Sequence, residues 1–505
     1  MPRVSQGHTR TATTLLASRV CFTMESMIAN AALLTDLYEL TMMQGYHHHR
    51  FRPTAVFDLF FRRQPFQGGF SIAAGLADAL RALEGLRFEP EDLDYLETLG
   101  LFGRDFLDYL ADFRFSGEVW AVPEGTVVFP HEPLLRVSAP MIEAQLVESL
   151  LLNTINYQTL VATKTARIYL AAGKGTIAEF GLRRAQGWDG ALTASRAAYI
   201  GGAAATSNTL AGRHYGIPVT GTMAHSWVMA FETELEAFER YAELYPDQTT
   251  LLLDTYDTLG SGLPNAIAVA RRLTEQGHNV GVRLDSGDIQ YLSKAVRRGL
   301  NAAGLQAVKI AVSNELDEHI VAQLVAAGSP VDLWGVGTQL VTGGGDSSLT
   351  GVYKLAAVAG AEGAMQPTMK FSDNPEKSTN PGVKQVYRFY GDNRAPLADL
   401  IALADEPIGA GQPHTFYHPA IDYRKFRLKQ YSDCEALLQP VMRNGRTVVD
   451  LPSLPQIRQR TLQSLGCLDE TYTRIINPHV YKVSISGKLK QVKQTLIQKV
   501  QPDVE

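Results

Sequence analysis

The residues able to do chemistry in this chain sit in short segments that each follow a β-rich run. GLRRAQGWDG (181–190) brings Arg183 and Arg184, TMAHSW (222–227) brings Thr222, His225 and Ser226, and TYDTLGSG (255–262) brings Asp257. DSGD (285–288) carries Asp285 and Asp288 just after Arg283, Ser313 and Asn314 follow AVKIAV, and GTQLVTGGGD (337–346) is rich in glycine and threonine. Cations, carboxylates, one histidine and a Gly/Thr turn suit a phosphorylated substrate taken with a divalent metal. Glycine turns expose N–H groups that cradle phosphate, and magnesium uses one or two carboxylates while bridging substrate oxygens. Each segment also has a plainer reading: Gly337-Thr338 as a turn, Asp285 to Asp288 as a turn ending in a helix N-cap, a lone histidine as a hydrogen-bonding residue.

The elements that must position these groups are read from alternation. TIAEF (176–180), IPVTG (217–221), TLLLD (250–254), NVGVRL (279–284), AVKIAV (307–312), VDLWGV (331–336) and VYKLAAV (352–358) are strand-like and separated by helical segments. That pattern predicts right-handed βαβ units around a parallel sheet, most simply a barrel with its reactive groups at the C-terminal strand ends. The alternative, an open doubly wound sheet with a bound dinucleotide, lacks its GxGxxG fingerprint. Before the barrel, LLTDLYELTMMQGY predicts a helix with Thr35 as N-cap, TAVFDLFF (54–61) a strand, and 141–172 a long helix. The expected organisation is an extension at 1–26, an N-terminal α+β domain at 27–157, an αβ-barrel catalytic domain at 158–395 and a smaller C-terminal domain at 396–505.

With 505 residues the chain has length for about three domains. Its 47 basic against 52 acidic residues give a net charge of −5, which argues against bulk neutralisation of nucleic acid. No run of apolar residues is long enough to cross a membrane. Three widely spaced cysteines fit a reducing compartment, and the expected location is the cytoplasm. Residues 1–26 carry Arg3, Arg10 and Arg19, a faint echo of a transit peptide; a disordered extension is the plainer account. The successive His47, His48 and His49 would point about 100° apart on a helix and cannot share one metal. The basic residues Arg424, Lys425, Arg427 and Lys429, and again Lys488 to Lys499, read as solvated faces.

Seven segments in order, LTDLYELTM (34–42), EFGLRRAQGWDG (179–190), GTMAHSWVMAF (221–231), LLLDTYDTLGSGLPNA (251–266), VRLDSGD (282–288), WGVGTQLVT (334–342) and KFSDNPEKSTNPG (370–382), resemble the signature segments of the nicotinate phosphoribosyltransferase family. The resemblance implies an incomplete αβ barrel of the type II phosphoribosyltransferase kind, flanked by N- and C-terminal domains. It implies that nicotinate, phosphoribosyl pyrophosphate and ATP are the substrates, with His225 as phospho-acceptor and Asp285 and Asp288 as catalytic carboxylates that also hold Mg2+ or Mn2+. It further implies Tyr38, Arg183, Thr222 and Arg283 around the pyridine ring and phosphoribosyl group, Gly337, Thr338 and Thr342 on the 5-phosphate, and a homodimer with shared sites. Trp188 stands where this family commonly has proline. The rival readings are a same-fold enzyme for nicotinamide or quinolinate, and a non-catalytic paralogue that binds nucleotides or a partner as a regulatory dimer.

Overall fold

Six short strands, β1 (Thr176–Glu179), β2 (Ala205–Thr206), β3 (Thr250–Leu252), β4 (Gly281–Leu284), β5 (Lys309–Val312) and β6 (Leu333–Val336), form one sheet in the order β2-β1-β6-β5-β4-β3, every pair parallel. This is a computed structural model, and it describes residues 31–371, 379–409, 411–421 and 423–500. The expected extension at 1–26, Cys21 and residues 372–378 of the KFSDNPEKSTNPG segment lie outside the described residues.

Parallel strands are covered on both faces and so read as continuous apolar runs. Ile177, Leu251, Leu252, Val282, Leu284, Ile310, Val312, Trp334 and Val336 are all buried in one core with the helices that follow them. The helices that matter below are α1 (Leu37–His48), α2 (Glu148–Ala172), α3 (Gly187–Ile200), α4 (Leu263–Glu275), α5 (Ile289–Ala302) and α6 (Glu318–Ala326). Asp257, Asp288 and Asp317, each in the loop after β3, β4 or β5, accept backbone N–H groups at the start of the next helical turn. Among the described residues β2 and β3 are the two edges of this sheet. IPVTG contributes only a bridge, Thr206 to Val219, in place of the expected strand.

VYKLAAV also departs from expectation. Gly351–Ala359 leaves the barrel and pairs antiparallel with Thr54–Phe61 in a second sheet, which also holds Glu118–Ala121, Leu135–Pro140, Met365–Pro367, Gln439–Arg443 and Arg446–Thr447. The physical reason is its half-exposed face: Lys354 lies opposite Asp58 and bonds Glu148, while Tyr353 stacks on Phe57 at 4.7 Å and donates to the Ala144 carbonyl. A third sheet contains Lys384–Tyr390 and Pro396–Leu403. The N-terminal sheet thus recruits strands from all three expected domains, and α2 runs unbroken through the boundary expected at 157/158.

Buried ion pairs knit these layers. Arg196 of α3 forks onto Glu124 with two 2.8 Å bonds and donates to Gln158, whose amide in turn bonds Asp78. Lys164 and Arg167 of α2 meet Glu318 of α6. Arg388 lies on Asp399, which also accepts from the Tyr481 hydroxyl, with Glu132 alongside. The first helix differs in detail from expectation: Asp36, not Thr35, is the N-cap residue, and Thr35 bonds the Leu146 carbonyl.

Candidate active site

The C-terminal ends of the parallel strands converge on Arg283, the third residue of β4. Its guanidinium is engaged on all three nitrogens: Nε donates to Ser313 Oγ at 2.8 Å, Nη1 to Thr222 Oγ1 at 2.7 Å and Nη2 to Asp285 Oδ1 at 2.7 Å. The Ser313 hydroxyl in turn donates to Asp285 Oδ1. Burial pushes the Asp285 carboxyl up, but the Ser313 hydroxyl and the Arg283 charge outweigh it and hold the group below its usual range. The other carboxylate oxygen faces His225, with Oδ2 to Nε2 at 3.6 Å. The remaining ring nitrogen, Nδ1, lies 3.2 Å from Thr255 Oγ1.

Four of the sequence-predicted residues, Thr222, His225, Arg283 and Asp285, are therefore one connected group drawn from two chain segments, 222–225 and 283–285. Asp288 is not part of it: its carboxylate accepts from Tyr291 N–H at 3.0 Å and caps α5, the plainer of its two readings. Asp254 takes the place beside Asp285 that sequence reasoning did not assign. Its Oδ2 accepts from the Asp285 N–H and the Ser286 hydroxyl, and its Oδ1 is buried without a partner.

On the neighbouring strand end, Gly337 precedes the short turn of helix Thr338–Val341. Thr338 donates to Glu315, two residues beyond Ser313, and Thr342 donates to the Thr338 carbonyl. These loops stand on the same face as the Arg283 group because their strands are parallel neighbours. Gly335 beneath them has no room for a side chain, since a Cβ would come 2.6 Å from the Phe180 ring and 3.3 Å from Ser313 Cβ. Arg183 follows β1 in an exposed single turn, Leu182–Arg184, and no hydrogen bond or ion pair to it is made among the described residues.

Tyr38 is elsewhere. It is 47% exposed at the start of α1, beside Leu34 and Leu37, and lines a cavity of about 520 Å³ with Glu148, Asn153 and Tyr157. Burial and the neighbouring Glu39 raise its phenol. None of Thr222, His225, Arg283 or Asp285 lines that cavity.

Among the described residues no group of three or more His, Cys, Asp or Glu side chains could hold a metal on its own. Magnesium does not need such a cage when substrate phosphates supply oxygens. The orphaned Oδ1 of Asp254 next to Asp285 fits that mode of binding.

A parallel αβ sheet with Arg283, Thr222 and Thr338 at its strand ends, accompanied by two further mixed sheets, defines a type II phosphoribosyltransferase fold. A nicotinate-nucleotide pyrophosphorylase from Pyrococcus furiosus shares it, with a TM-score of 0.69 at 23% identity over 89% of this chain and 98% of that one. More narrowly, the chain belongs to the nicotinate phosphoribosyltransferase family: models of that family's N-terminal domain, family core and C-terminal domain match residues 33–156, 176–395 and 383–493. The Bacillus subtilis nicotinate phosphoribosyltransferase is 42% identical over 477 residues, spanning 94% of this chain and 96% of its own length. The human protein of that name is 38% identical over 532 residues, 94% and 98% of the two chains. The crystal structure of human nicotinic acid phosphoribosyltransferase superposes with a TM-score of 0.81 at 36% identity, covering 92% of this chain and 99% of that one. Among the described residues no helix is long and apolar enough to cross a membrane.

Proposed function

We propose that this chain joins nicotinate to the phosphoribosyl group of phosphoribosyl pyrophosphate, giving nicotinate mononucleotide and pyrophosphate, the entry of nicotinate into NAD salvage. The pyridine nitrogen forms a bond to the anomeric carbon as the bond from that carbon to the pyrophosphate oxygen breaks. The transition state carries oxocarbenium character, so the protein's work is positioning and charge stabilisation. The observation that carries this reading is the Arg283 guanidinium, fixed at a strand end between Thr222, Ser313 and Asp285.

In this reading Thr222 and Arg283 form the ring corner, and Arg183 supplies a second cation matched to the nicotinate carboxylate or substrate phosphates. Gly337, Thr338 and Thr342 hold the 5-phosphate, Thr338 exchanging Glu315 for a phosphate oxygen. Mg2+ or Mn2+, when bound with the diphosphate at Asp285 and Asp254, supplies neutralisation of leaving-group charge. ATP is a co-substrate: a ring nitrogen of His225 takes the γ-phosphoryl group, ADP departs, and hydrolysis of the phosphohistidine releases phosphate. Thr255 and Asp285 flank the ring and set its orientation.

Tyr38 stacks on nicotinate from the second subunit of a homodimer. Its exposure on an apolar face with Leu34 and Leu37, outside the Arg283 group, favours that arrangement. The reading places the enzyme in the cytoplasm. The test is turnover of nicotinate with phosphoribosyl pyrophosphate, read as nicotinate mononucleotide formed; a protein that forms none while folded refutes it.

A further inference from the structure

The Ser313 side chain is 4% exposed and sits between the two charged groups of the site. Its oxygen accepts from Arg283 Nε at 2.8 Å and its single proton goes to Asp285 Oδ1. These two bonds have geometric consequences. A guanidinium is planar, so tying Nε to Ser313 and Nη2 to Asp285 at 2.7 Å fixes the plane in which Nη1 donates to Thr222 Oγ1 at 2.7 Å and, more weakly, to the Met223 carbonyl at 3.5 Å. On the other side, Asp285 Oδ1 is occupied by two donors, which turns Oδ2 toward His225. Ser313 itself is fixed: it ends the backbone ladder after β5, its N–H bonding the Leu284 carbonyl, and the absence of a side chain at Gly335 leaves it room.

We infer that Ser313 is a positioning residue of the transfer reaction, its hydroxyl aiming Arg283 Nη1 at the ring corner and Asp285 Oδ2 at His225. Resting on the function proposed above, it adds a group outside the residues that meet substrate and joins the ring corner to the histidine corner through one hydroxyl. A hydrogen bond shared with two charged partners is of the stronger kind, and losing it leaves Nε without an acceptor.

The test uses full-length protein and ATP-independent transfer, with Ser313→Ala, Ser313→Thr, Thr222→Val and the Ser313→Ala/Thr222→Val double variant. Ser313→Ala is expected to lose about 10- to 100-fold in kcat/KM for nicotinate with a melting temperature lowered by only a few degrees, and Ser313→Thr to recover most of the activity. The double variant is expected to lose less than the product of the two single losses, because part of what Thr222 does depends on the Arg283 contact that Ser313 aims. Full activity in Ser313→Ala, or losses in the two single variants that multiply in the double one, overturns the inference. Should Ser313→Ala not fold, Ser313→Cys, similar in size and a weaker hydrogen-bonding group, carries the same measurement. The wild-type protein assayed beside them separates the two claims: no transfer to nicotinate by wild type refutes the function, whereas normal transfer with an indifferent Ser313 refutes only the positioning role.

Discussion

His225 Nε2 stands 3.6 Å from Asp285 Oδ2, beyond hydrogen-bond reach yet directly facing the carboxylate. The ring is held from its other side by Thr255, so one nitrogen is tethered and the other faces a carboxylate that Arg283 and Ser313 keep ionised. Such a ring can accept a phosphoryl group and be steadied as charge builds. γ-Labelled ATP is expected to leave acid-labile phosphate on the wild-type protein and none on His225→Asn. Equal labelling of both would move the acceptor to another residue.

Arg283 makes three directed bonds to three different residues, which a lysine ammonium cannot copy. Arg283→Lys should lower kcat/KM by about 100-fold while the melting temperature stays close to wild type, since the side chain lies at a strand end on an open face. Steady-state kinetics beside a thermal melt check this; parallel loss of both would make the residue structural.

Shared sites can be tested by mixing inactive subunits. Tyr38→Ala and Arg283→Ala each remove one contribution to transfer, and a mixed dimer rebuilds one intact site only if Tyr38 serves the neighbouring subunit. Remixing from denaturant should restore about a quarter of wild-type activity, from half the dimers each with one working site. No recovery above the separate variants would place both residues in one subunit.

Arg196 is buried with Glu124, its charge matched by two 2.8 Å bonds. Arg196→Met would strand the carboxylate, and breaking a buried pair in this way costs about 3–5 kcal/mol. Denaturant unfolding should show that loss.

Glu132 is the opposite case. Burial and the adjacent Asp399 carboxylate push its carboxyl well above the usual range, and Arg388 does not reverse this. A carboxyl raised in the folded state is held protonated there, so its contribution is present at low pH. It is lost as pH rises from the unfolded value, about 4.3, through the folded one. Glu132→Gln keeps the acceptor for the Phe129 N–H and should melt about 1–3 °C higher than wild type at pH 8, with the gap closing toward pH 5. A variant that melts lower at pH 8 would mean the carboxylate is needed.

The strand ends were legible in the sequence because parallel, fully buried strands leave continuous apolar runs: VRL before DSGD and LWGV before GTQ gave the face on which Arg283 and Thr338 stand. Partners of strands were not legible. VYKLAAV has the same β-rich composition as its neighbours, and only the surroundings of Tyr353 and Lys354 send it to another sheet. Ala205–Thr206 is too short to leave a pattern. Asp288 shows the limit for sites, since the same Asp serves a metal or an N-cap and the two differ only in where the carboxylate turns. Ser313 stood at the predicted face, but its place between two charges depends on the segments ending β4 and β5 meeting. Asp254 was hidden at the end of an apolar run and is marked by its unpaired buried oxygen.

The central claim is that this site joins a phosphoribosyl group to a pyridine bearing a carboxylate at one ring position. It is tested most directly by supplying nicotinate, nicotinamide and quinolinate side by side with phosphoribosyl pyrophosphate, each with and without ATP. Nicotinate alone is expected to be turned over efficiently, with ATP increasing its kcat/KM. Turnover of nicotinamide or quinolinate in preference to nicotinate would contradict it.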